Sequence, residues 1–295
     1  MARFLKVATF NAENFSLLLS GIRSRVQLDE LTEAAYQSMN ASIFNPNKER
    51  RKIAEIARLI LTGRFDVVGL CEVGGRETLE AFNRLYLDGG FDTYLHEENS
   101  RRGIFVGALV RKGRFSELKA SNLPGAFARN VLRLDLGRVG GNLQVFVVHL
   151  KSQLGSDWGL EHRLKEVAWL SSVVPTTRCV VMGDFNGILI REQPQFEYEA
   201  FLRLPFRDVL EAVGVPPEKR RTHYHFAPEP HFAQLDYIFC SNDLLVRNAK
   251  VLEGKIPLNR AQRNYLPSDH LMVEAKVGWH EEKAQFWSRV WRWLR

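Results

Sequence analysis

The chain has 295 residues, 45% of them hydrophobic and 25% charged, with a formal net charge of +7. These proportions suit one large globular domain, and no apolar run reaches the roughly 18 residues that a membrane-spanning helix requires. The positive charge favours a polyanionic partner, either nucleic acid or an anionic membrane surface, and says nothing about chemistry.

The number and spacing of the cysteines indicate the redox state of the compartment in which the protein works. Cys71, Cys179 and Cys240 lie far apart, each in an apolar, strand-like run. An odd number at this spacing argues against a zinc cluster and predicts buried free thiols in a reducing, cytoplasmic environment. The N-terminus breaks its apolar run at Lys6 and has no cleavage pattern, so a first strand is predicted rather than a signal peptide.

The first predicted strand, Arg3 to Phe10, runs straight into the polar sequence Asn11-Ala12-Glu13-Asn14. The stretch that follows, Phe15 to Asn47, has mixed periodicity. It predicts only one short helix, around Leu28 to Met39.

A clear amphipathic helix comes next, because apolar residues recur at i, i+3, i+4 and i+7. These residues are Ile53, Ile56, Ala57 and Ile60. Asn45 is the predicted N-cap with Pro46 at the first helical position, and Gly63 is the predicted end. A second buried strand, Phe65 to Cys71, ends directly in Glu72.

The remaining elements alternate in part with helices and in part with hairpins. In chain order they are a helix around Leu79, Phe82 and Tyr86, a strand region from Gly103 to Val110, a hairpin of Val131 to Leu136 with Leu143 to His149, a helix marked by Leu160, Leu164, Val167 and Ala168, a strand ending at Asp184, a weak helix from Phe196 to Leu204, and strands from Leu235 to Cys240 and from Leu271 to Val277. This order predicts a mixed sheet layered with helices.

The stretch Val180 to Gly187, VVMGDFNG, illustrates how the strands end. The pattern predicts a buried strand that ends in a turn. Gly183 and Gly187 allow the backbone of this turn conformations that other residues avoid, so Asp184 and Asn186 are expected to face one cleft. Alone, the tetrapeptide Gly-Asp-Phe-Asn is as typical of an Asx-rich turn. The other strands decide between the two interpretations.

Polar residues recur wherever a hydrophobic strand starts or stops: Asn11, Glu13, Glu72, His149, Asp184, Asn186, Asp236, Asp269 and His270. Carboxylates and amides with few thiols are what a hard cation such as Mg²⁺ binds. No H-E-x-x-H motif or cysteine pair favours a zinc protease. The two histidines, each able to pair with a carboxylate, add proton transfer or charge stabilisation at a phosphorus centre.

Six motifs in a fixed order resemble the endonuclease/exonuclease/phosphatase superfamily, whose fold is that of deoxyribonuclease I. They are FNAEN at Asn11, GLCEV at Glu72, VVHLKS at His149, VMGDFNG at Asp184 and Asn186, QLDYIF at Asp236, and PSDH at Ser268 to His270. The resemblance spans nearly the whole chain and is greatest to bacterial nuclease-like members. It implies a four-layer α/β/β/α sandwich of two mixed, largely antiparallel sheets flanked by helices.

The resemblance also implies a divalent-metal site. Glu72 is implied as the main ligand, with Asn11, Glu13 and Asp269 near the ion or its waters. The implied ion is Mg²⁺, for which Mn²⁺ is an expected substitute.

Catalytic roles follow from the same resemblance. Asp184 is implied to orient or deprotonate the attacking water, and Asn186 to bond a phosphate oxygen. Asp236 is implied to hold the tautomer of His270. His270 and His149 are then implied to stabilise the charge on phosphorus or to assist the leaving oxygen.

Phosphate contacts are predicted for Lys151 and Ser152 and for one or both of Arg101 and Arg102. The chain departs from the family pattern at RRGIFVG, which offers no carboxylate to partner His149. Glu97 or Glu98, just upstream, is the expected substitute.

Two structural alternatives stay open at this stage. Asp236 suits a buried aspartate that backbone amides satisfy, and Glu13 suits a surface carboxylate as well as a ligand. His223 and His225, in a Pro-rich region, are predicted to be loop residues that at most touch substrate.

The chain is predicted to divide into a catalytic domain, residues 1–278, and a Trp/Arg-rich amphipathic helix, residues 279–295. That helix suits docking on the body, and it suits equally a peripheral contact with an anionic membrane, because Trp and Arg are typical of interfacial helices. Nucleic-acid stacking is a third use.

The sequence therefore predicts a cytoplasmic, Mg²⁺-dependent phosphodiesterase, an endonuclease or exonuclease that hydrolyses DNA or RNA by in-line attack of water. One alternative keeps the chemistry but takes a phospholipid or inositol phosphate at a membrane surface. A second is an inactive nucleic-acid or membrane binding module on the same fold.

Overall fold

The computed structural model describes residues 2–280, apart from residues 41, 44, 99, 101, 126, 138–141, 154–158, 190–194, 226–230 and 253–258. None of the described helices is long and apolar enough to cross a bilayer. Cys71, Cys179 and Cys240 are all buried and free, which confirms the expected free thiols.

The strands of the described residues, in chain order, are β1 (Ala2–Phe15), β2 (Val67–Val73), β3 (Phe91–Leu95), β4 (Phe105–Arg111), β5 (Glu117–Leu123), β6 (Val131–Gly137), β7 (Leu143–His149), β8 (Cys179–Asp184), β9 (Phe206–Asp208), β10 (His223–His225), β11 (His231–Ala233), β12 (Asp236–Ser241), β13 (Leu245–Val251) and β14 (Val273–His280). The helices are α1 (Arg25–Asp29), α2 (Glu33–Ser38), α3 (Arg50–Gly63), α4 (Arg76–Tyr86), α5 (Leu160–Val173), α6 (Glu199–Leu202), α7 (Val209–Ala212) and α8 (Arg260–Tyr265). Two short 3₁₀ turns, Phe196–Tyr198 and Pro217–Lys219, complete the list.

The strands form two six-stranded sheets and one separate hairpin. The first sheet has the order β13-β14-β1-β2-β4-β3, the second β5-β6-β7-β8-β12-β9, and β10 pairs with β11. Each large sheet contains one parallel pair, β1 with β2 and β7 with β8, and its other pairs are antiparallel. A helix connects the strands of each parallel pair, as a parallel crossover requires.

Strand alternation produces three apolar cores and hence four layers. Val7 lies in the core between the two sheets, whereas its neighbour Ala8 lies in the core beneath α3 and α4. In the second sheet, Val147 faces the inter-sheet core and Val148 packs beneath α5. The predicted α/β/β/α sandwich of two mixed sheets is therefore confirmed.

Helix α3 begins at Arg50, so the predicted start at Asn45 and Pro46 is wrong. The reason is that both asparagines of this segment are used elsewhere: Asn45 donates to the Arg102 carbonyl (3.2 Å), and Asn47 bonds the backbone N–H and carbonyl of Leu18 (2.8 and 3.1 Å). The helix ends at Gly63 as predicted.

The single helix predicted around Leu28 to Met39 is two helices, α1 and α2. Thr32 separates them, because its backbone is extended and its hydroxyl accepts from the Ala35 N–H (3.1 Å), which caps a new helix. At the other end of the chain, Trp279 and His280 belong to β14, whereas residues 281–295 of the predicted terminal helix lie outside the described residues.

Candidate active site

The polar strand ends meet at one edge of the sandwich. Because β1 and β2 run parallel, as do β7 and β8, their carboxyl ends lie at the same edge of each sheet. Strands β12 and β14 are antiparallel to β8 and β1, so their beginnings come to that edge. The strand topology therefore gathers residues from six places in the chain.

Register then puts the side chains on one face. Asp184 pairs with His149 on one side and with Asp236 on the other, so the three residues form a row across β7, β8 and β12. Two residues from the row on each strand, Val147 and Met182 before it and Ile238 after it on the antiparallel β12, fill the inter-sheet core. The row consequently points toward the opposite sheet, from which Asn11 and Glu72 approach.

Two irregular strand ends direct the side chain of Glu72. Strand β1 continues to Phe15 rather than ending at Phe10, but its register shifts between Asn11 and Phe15. Glu13, Asn14 and Glu72 all have left-handed backbone (φ 46°, 47° and 61°), which costs energy in residues other than glycine. The Asn14 N–H donates to Glu72 Oε2 (2.9 Å), so the left-handed turn after Asn11 fixes the carboxylate of Glu72.

Asp184 is the centre of the cluster and is fully buried. Its Oδ2 accepts from Asn11 Nδ2 (2.9 Å) and lies 3.5 Å from His149 Nε2 and 3.8 Å from His270 Nε2. Its Oδ1 accepts from the Asn186 N–H (2.8 Å). Burial raises the pKa of Asp184, although the charge of His270 opposes the increase.

His270 and Asp236 form a tight pair, with Nδ1 and Oδ2 2.7 Å apart. Burial alone would lower the pKa of His270, but the carboxylates of Asp236 and Asp184 outweigh it and hold that pKa well above its usual range. Ser268 fixes the turn, because its hydroxyl donates to the Asn11 carbonyl (2.7 Å) and accepts from the His270 N–H (3.0 Å). Asp236 thus faces a histidine rather than backbone amides, and its Oδ1 has no partner among the described residues.

His149 is buried at the end of β7. Burial lowers the pKa of His149 well below its usual range, and the charges of Arg129, His270 and Arg102 act in the same direction. Its Nδ1 has no partner in the described part of the chain.

The prediction that Glu97 or Glu98 pairs with His149 is wrong. Glu97 accepts from the Arg76 N–H (2.6 Å) and Glu98 from Asn122 Nδ2 (2.7 Å). Both carboxylates bond other segments and follow β3, the outermost strand of the first sheet, which β4 separates from β2.

The predicted metal ligands divide into an inner and an outer pair. Glu72 Oε1 lies 3.4 Å from Asn11 Nδ2 and 4.0 Å from His149 Nε2, with the Glu72 side chain 19% exposed. Glu13 and Asp269 are joined by Arg263, which lies 2.6 Å from the first carboxylate and 2.9 Å from the second.

These donors fit a hard divalent ion. Glu72 offers a carboxylate oxygen at a partly open position, as Mg²⁺ requires. The Asn11 amide nitrogen faces Glu72, and its Oδ1 accepts from the Glu13 N–H (3.0 Å). In this rotamer Asn11 orients the Glu72 carboxylate rather than offering its own oxygen to a metal. The outer carboxylate Glu13 also has a buried cation beside it. Lys48 donates to the Glu13 carbonyl (2.6 Å), and burial lowers the pKa of Lys48 to about 8.

The predicted phosphate-binding residues lie around the same opening. Lys151 and Ser152 are half-buried after β7, Arg102 is exposed, and Arg101 lies outside the described residues. The Asn186 amide donates to the Leu150 carbonyl (3.0 Å), so in this arrangement it supports the strand end.

Sequence reasoning missed two buried charges that hold this strand end. Arg129 donates to the carbonyls of His149 and Leu150 (3.3 and 3.1 Å). Glu166 accepts from the N–H groups of Ala128 and Lys151 (3.1 and 2.7 Å).

A signal for Glu166 existed in the periodicity of α5. Its buried face is Arg163, Glu166, Val167 and Leu170, whereas Leu164, which the sequence assigned to the apolar stripe, is 39% exposed. Two charged residues at i and i+3 on the spacing of a buried face indicate an internal role.

The comparisons with known proteins agree with this geometry. A family model described as the Endonuclease/Exonuclease/phosphatase family matches residues 8–270. A comparison with curated protein sequences finds no match.

Several solved structures share the fold. A D. rerio TDP2 complexed with single-strand DNA product is 19% identical, with a TM-score of 0.60, over 93% of this chain and 98% of that one. An endonuclease/exonuclease/phosphatase family protein from Bacteroides thetaiotaomicron is 14% identical, with a TM-score of 0.62, over 95% and 99%. A mannosyl-6-phosphatase from the same species is 16% identical, with a TM-score of 0.58, over 92% and 99%. At these identities the likeness concerns the fold.

Proposed function

The chain belongs to the endonuclease/exonuclease/phosphatase family, whose members are metal-dependent phosphoesterases, and from this premise we propose that it is a Mg²⁺-dependent nuclease that hydrolyses phosphodiester bonds by in-line attack of water. The observation that carries the proposal is Asp184, buried with its Oδ2 3.5 Å from His149 Nε2 and 3.8 Å from His270 Nε2. A net charge of +7 suits a polyanionic substrate.

Asp184 takes the proton of the attacking water. Its raised pKa brings the carboxylate closer to the working pH of a general base. Asn11 and the Asn186 N–H hold both of its oxygens, so the base is already oriented before substrate binds.

The two histidines stabilise charge on phosphorus from different sides. His270 is protonated because of Asp236 and Asp184, and it offers Nε2–H toward the position of the phosphoryl oxygens. His149 is neutral and serves as a hydrogen-bonding partner rather than as a charge. Glu72, with Asn11, Glu13 and Asp269 near it, would hold the divalent cation, which when bound would add positive charge close to the phosphoryl oxygens.

The test is a cleavage assay with Mg²⁺, Mn²⁺ or EDTA on plasmid DNA, single-stranded RNA, abasic duplex, sphingomyelin, inositol phosphates and a sugar 6-phosphate. Wild type is compared with Asp184→Asn and with Asp135→Asn, a matched change in a carboxylate on β6 that pairs with Arg133 (2.7 Å). Metal-dependent cleavage of nucleic acid that Asp184→Asn removes and Asp135→Asn retains supports the proposal. Absence of turnover on every substrate with any metal would leave an inactive binding module.

A second candidate is a phosphatase or phosphodiesterase for small or lipid-borne phosphates. The likeness to a mannosyl-6-phosphatase favours it, as does the Trp/Arg-rich segment, residues 281–295. Turnover of only sphingomyelin, inositol phosphates or the sugar phosphate would decide for it. Loss of anionic-liposome binding after changing Trp287, Trp291 and Trp293 to Ala would add the membrane contact.

A cytoplasmic location is part of the proposal. Its support is that the three cysteines are free and buried, which suits a reducing compartment.

A further inference from the structure

The β10–β11 hairpin brings a third histidine to the catalytic edge. Tyr224 is buried and packs against Phe232 across the hairpin (ring centroids 5.1 Å apart). His223 therefore projects from the other face, where its backbone pairs with His270 and the two imidazole centroids lie 4.6 Å apart. The prediction that His223 is a loop residue is wrong, because this pairing fixes its position.

His223, Asp269 and His270 offer two imidazole nitrogens and a carboxylate to one point in space. His223 Nε2 lies 3.6 Å from Asp269 Oδ2, and His270 Nε2 lies 3.9 Å from Asp269 Oδ1. All three ligand atoms are within 4.8 Å of one another. Ligands of a tetrahedral zinc ion are separated by about 3.3 Å, so small side-chain rotations would close the set.

The surroundings favour metal binding at these nitrogens. His270 bonds the carboxylate of Asp236 through Nδ1 (2.7 Å), which is the carboxylate–histidine arrangement that orients zinc-binding imidazoles. His223 differs from His270 in this respect, because its Nδ1 is buried and has no such partner among the described residues. Two nitrogens and one oxygen select a borderline ion such as Zn²⁺ rather than Mg²⁺, which prefers oxygen alone.

One neighbouring cation limits the affinity. Arg263 lies 2.9 Å from Asp269 Oδ2, and it also bonds Glu13. Oδ1 of Asp269, on the side of His270, remains directed toward the site. We therefore expect weaker binding than at a structural zinc site, with water in the fourth position.

We infer that His223, Asp269 and His270 form a transition-metal site and that Zn²⁺ bound there inhibits the hydrolase. The site does not include Glu72, although it shares Asp269 with the surroundings proposed for Mg²⁺. The Zn–N bond uses the lone pair of Nε2 of His270 and releases its proton to water, so the ring no longer offers an Nε2–H to the phosphoryl oxygens. The inhibitory consequence rests on the proposed function, whereas the metal site does not.

Binding is tested directly with the full chain. Calorimetry with Zn²⁺, and absorption spectra with Co²⁺ as a probe of tetrahedral coordination, compare wild type with His223→Gln, His225→Gln and Glu72→Gln. We expect His223→Gln to weaken Zn²⁺ binding at least tenfold, and the other two variants to bind as wild type. His225 is the matched control, because it lies on the same hairpin but outside the ligand set, with its ring centroid 6.3 Å from that of His223.

Wild-type affinity in His223→Gln, or loss of the site in Glu72→Gln, would overturn the assignment. A melting curve checks the fold of each variant. Anomalous scattering from wild-type crystals soaked in Zn²⁺ gives the answer without any variant: the ion lies between His223 and His270, or it does not.

The activity measurement separates this inference from the proposed nuclease. With Mg²⁺ in excess, Zn²⁺ should inhibit hydrolysis of the accepted substrate, and His223→Gln should need at least ten times more Zn²⁺ for the same inhibition. Zn²⁺ binding at His223 without nuclease activity would reject the proposed function alone. Nuclease activity without Zn²⁺ binding at His223 would reject this inference alone.

Discussion

At Asp184, burial and hydrogen bonding act on the same carboxylate in opposite directions. Burial raises its pKa, whereas Asn11, the Asn186 N–H and the charge of His270 favour its ionised form. The group is therefore kept as a base that still binds a proton readily, which is the state a water-activating carboxylate needs.

Asp184→Asn should lower kcat by about 10²- to 10⁴-fold, because an amide cannot accept the proton of water. The volume is unchanged and the Asn oxygen can still accept from the Asn186 N–H, whereas the new amide nitrogen loses the bond from Asn11 Nδ2. The melting temperature should therefore fall modestly while the fold is retained. Single-turnover cleavage and thermal unfolding measure the two effects. Retention of full activity would remove Asp184 from the mechanism.

Asp236→Asn should shift the pH dependence of activity. His270 has a raised pKa because of Asp236 and Asp184, so activity that needs the protonated ring falls as pH rises through that pKa. Removing the Asp236 charge lowers the pKa of His270 and moves the alkaline limb of kcat/KM to lower pH. Asp208→Asn, in a buried aspartate on β9 whose pKa burial raises to about 6, should leave the alkaline limb in place.

The pairing of His270 with Asp236 also makes the free energy of unfolding depend on pH. A histidine whose pKa is higher in the folded than in the unfolded chain stabilises the fold fully below about pH 6.5. That contribution is lost as pH rises through the folded-state pKa. Urea denaturation over this range should show a larger loss for wild type than for Asp236→Asn, and equal slopes would contradict the pairing.

At the scale of elements, α5 holds the strand end that presents His149 and Lys151. Glu166 joins the segment before β6 to the segment after β7 through two backbone N–H groups. Arg163, one turn earlier, is paired in the interior with Glu197 (2.9 Å). The helix thus contributes polar anchors as well as apolar packing.

Glu166→Gln should destabilise the fold by about 1.5–3 kcal/mol, because one of two backbone N–H groups loses a charged acceptor. We also expect KM to rise more than kcat falls, since Lys151 is predicted to bind phosphate. Glu161→Gln on the exposed side of α5, where Glu161 pairs with Lys165 (2.6 Å), is the control and should change stability by less than about 0.5 kcal/mol. Equal effects of the two changes would show that Glu166 does not anchor the strand end.

At the scale of the whole molecule, the charge of +7 should be expressed in binding to nucleic acid. With Lys151, Arg101 and Arg102 as the predicted contacts, the logarithm of affinity should fall against the logarithm of salt with a slope of about −2 to −3. Changing Lys151 or Arg102 to Gln should reduce that slope by about 1, whereas Lys165→Gln, on the exposed face of α5, should not. Fluorescence anisotropy with Asp184→Asn measures this, and a flat salt response would point to an uncharged or small substrate.

The strand ends were predictable because their signals are local. An apolar run followed by a carboxylate, amide or histidine identifies Glu72, His149 and Asp184 without knowledge of any partner. The element order predicted a mixed sheet layered with helices, and the four layers were implied by the family resemblance that the six motifs carry. Local signals failed where a side chain bonds a distant segment: Asn45, the predicted N-cap of α3, donates to the Arg102 carbonyl instead.

Only the tertiary structure decided which groups meet. The row of His149, Asp184 and Asp236 arises from the register of three strands, and the approach of His223 to His270 arises from a hairpin folded over the edge. The anchors Arg129 and Glu166, and the unpartnered Nδ1 of His149, follow from the same packing. Element type depends on neighbours in sequence, whereas protonation states and metal sites depend on long-range contacts and burial, which no local pattern encodes.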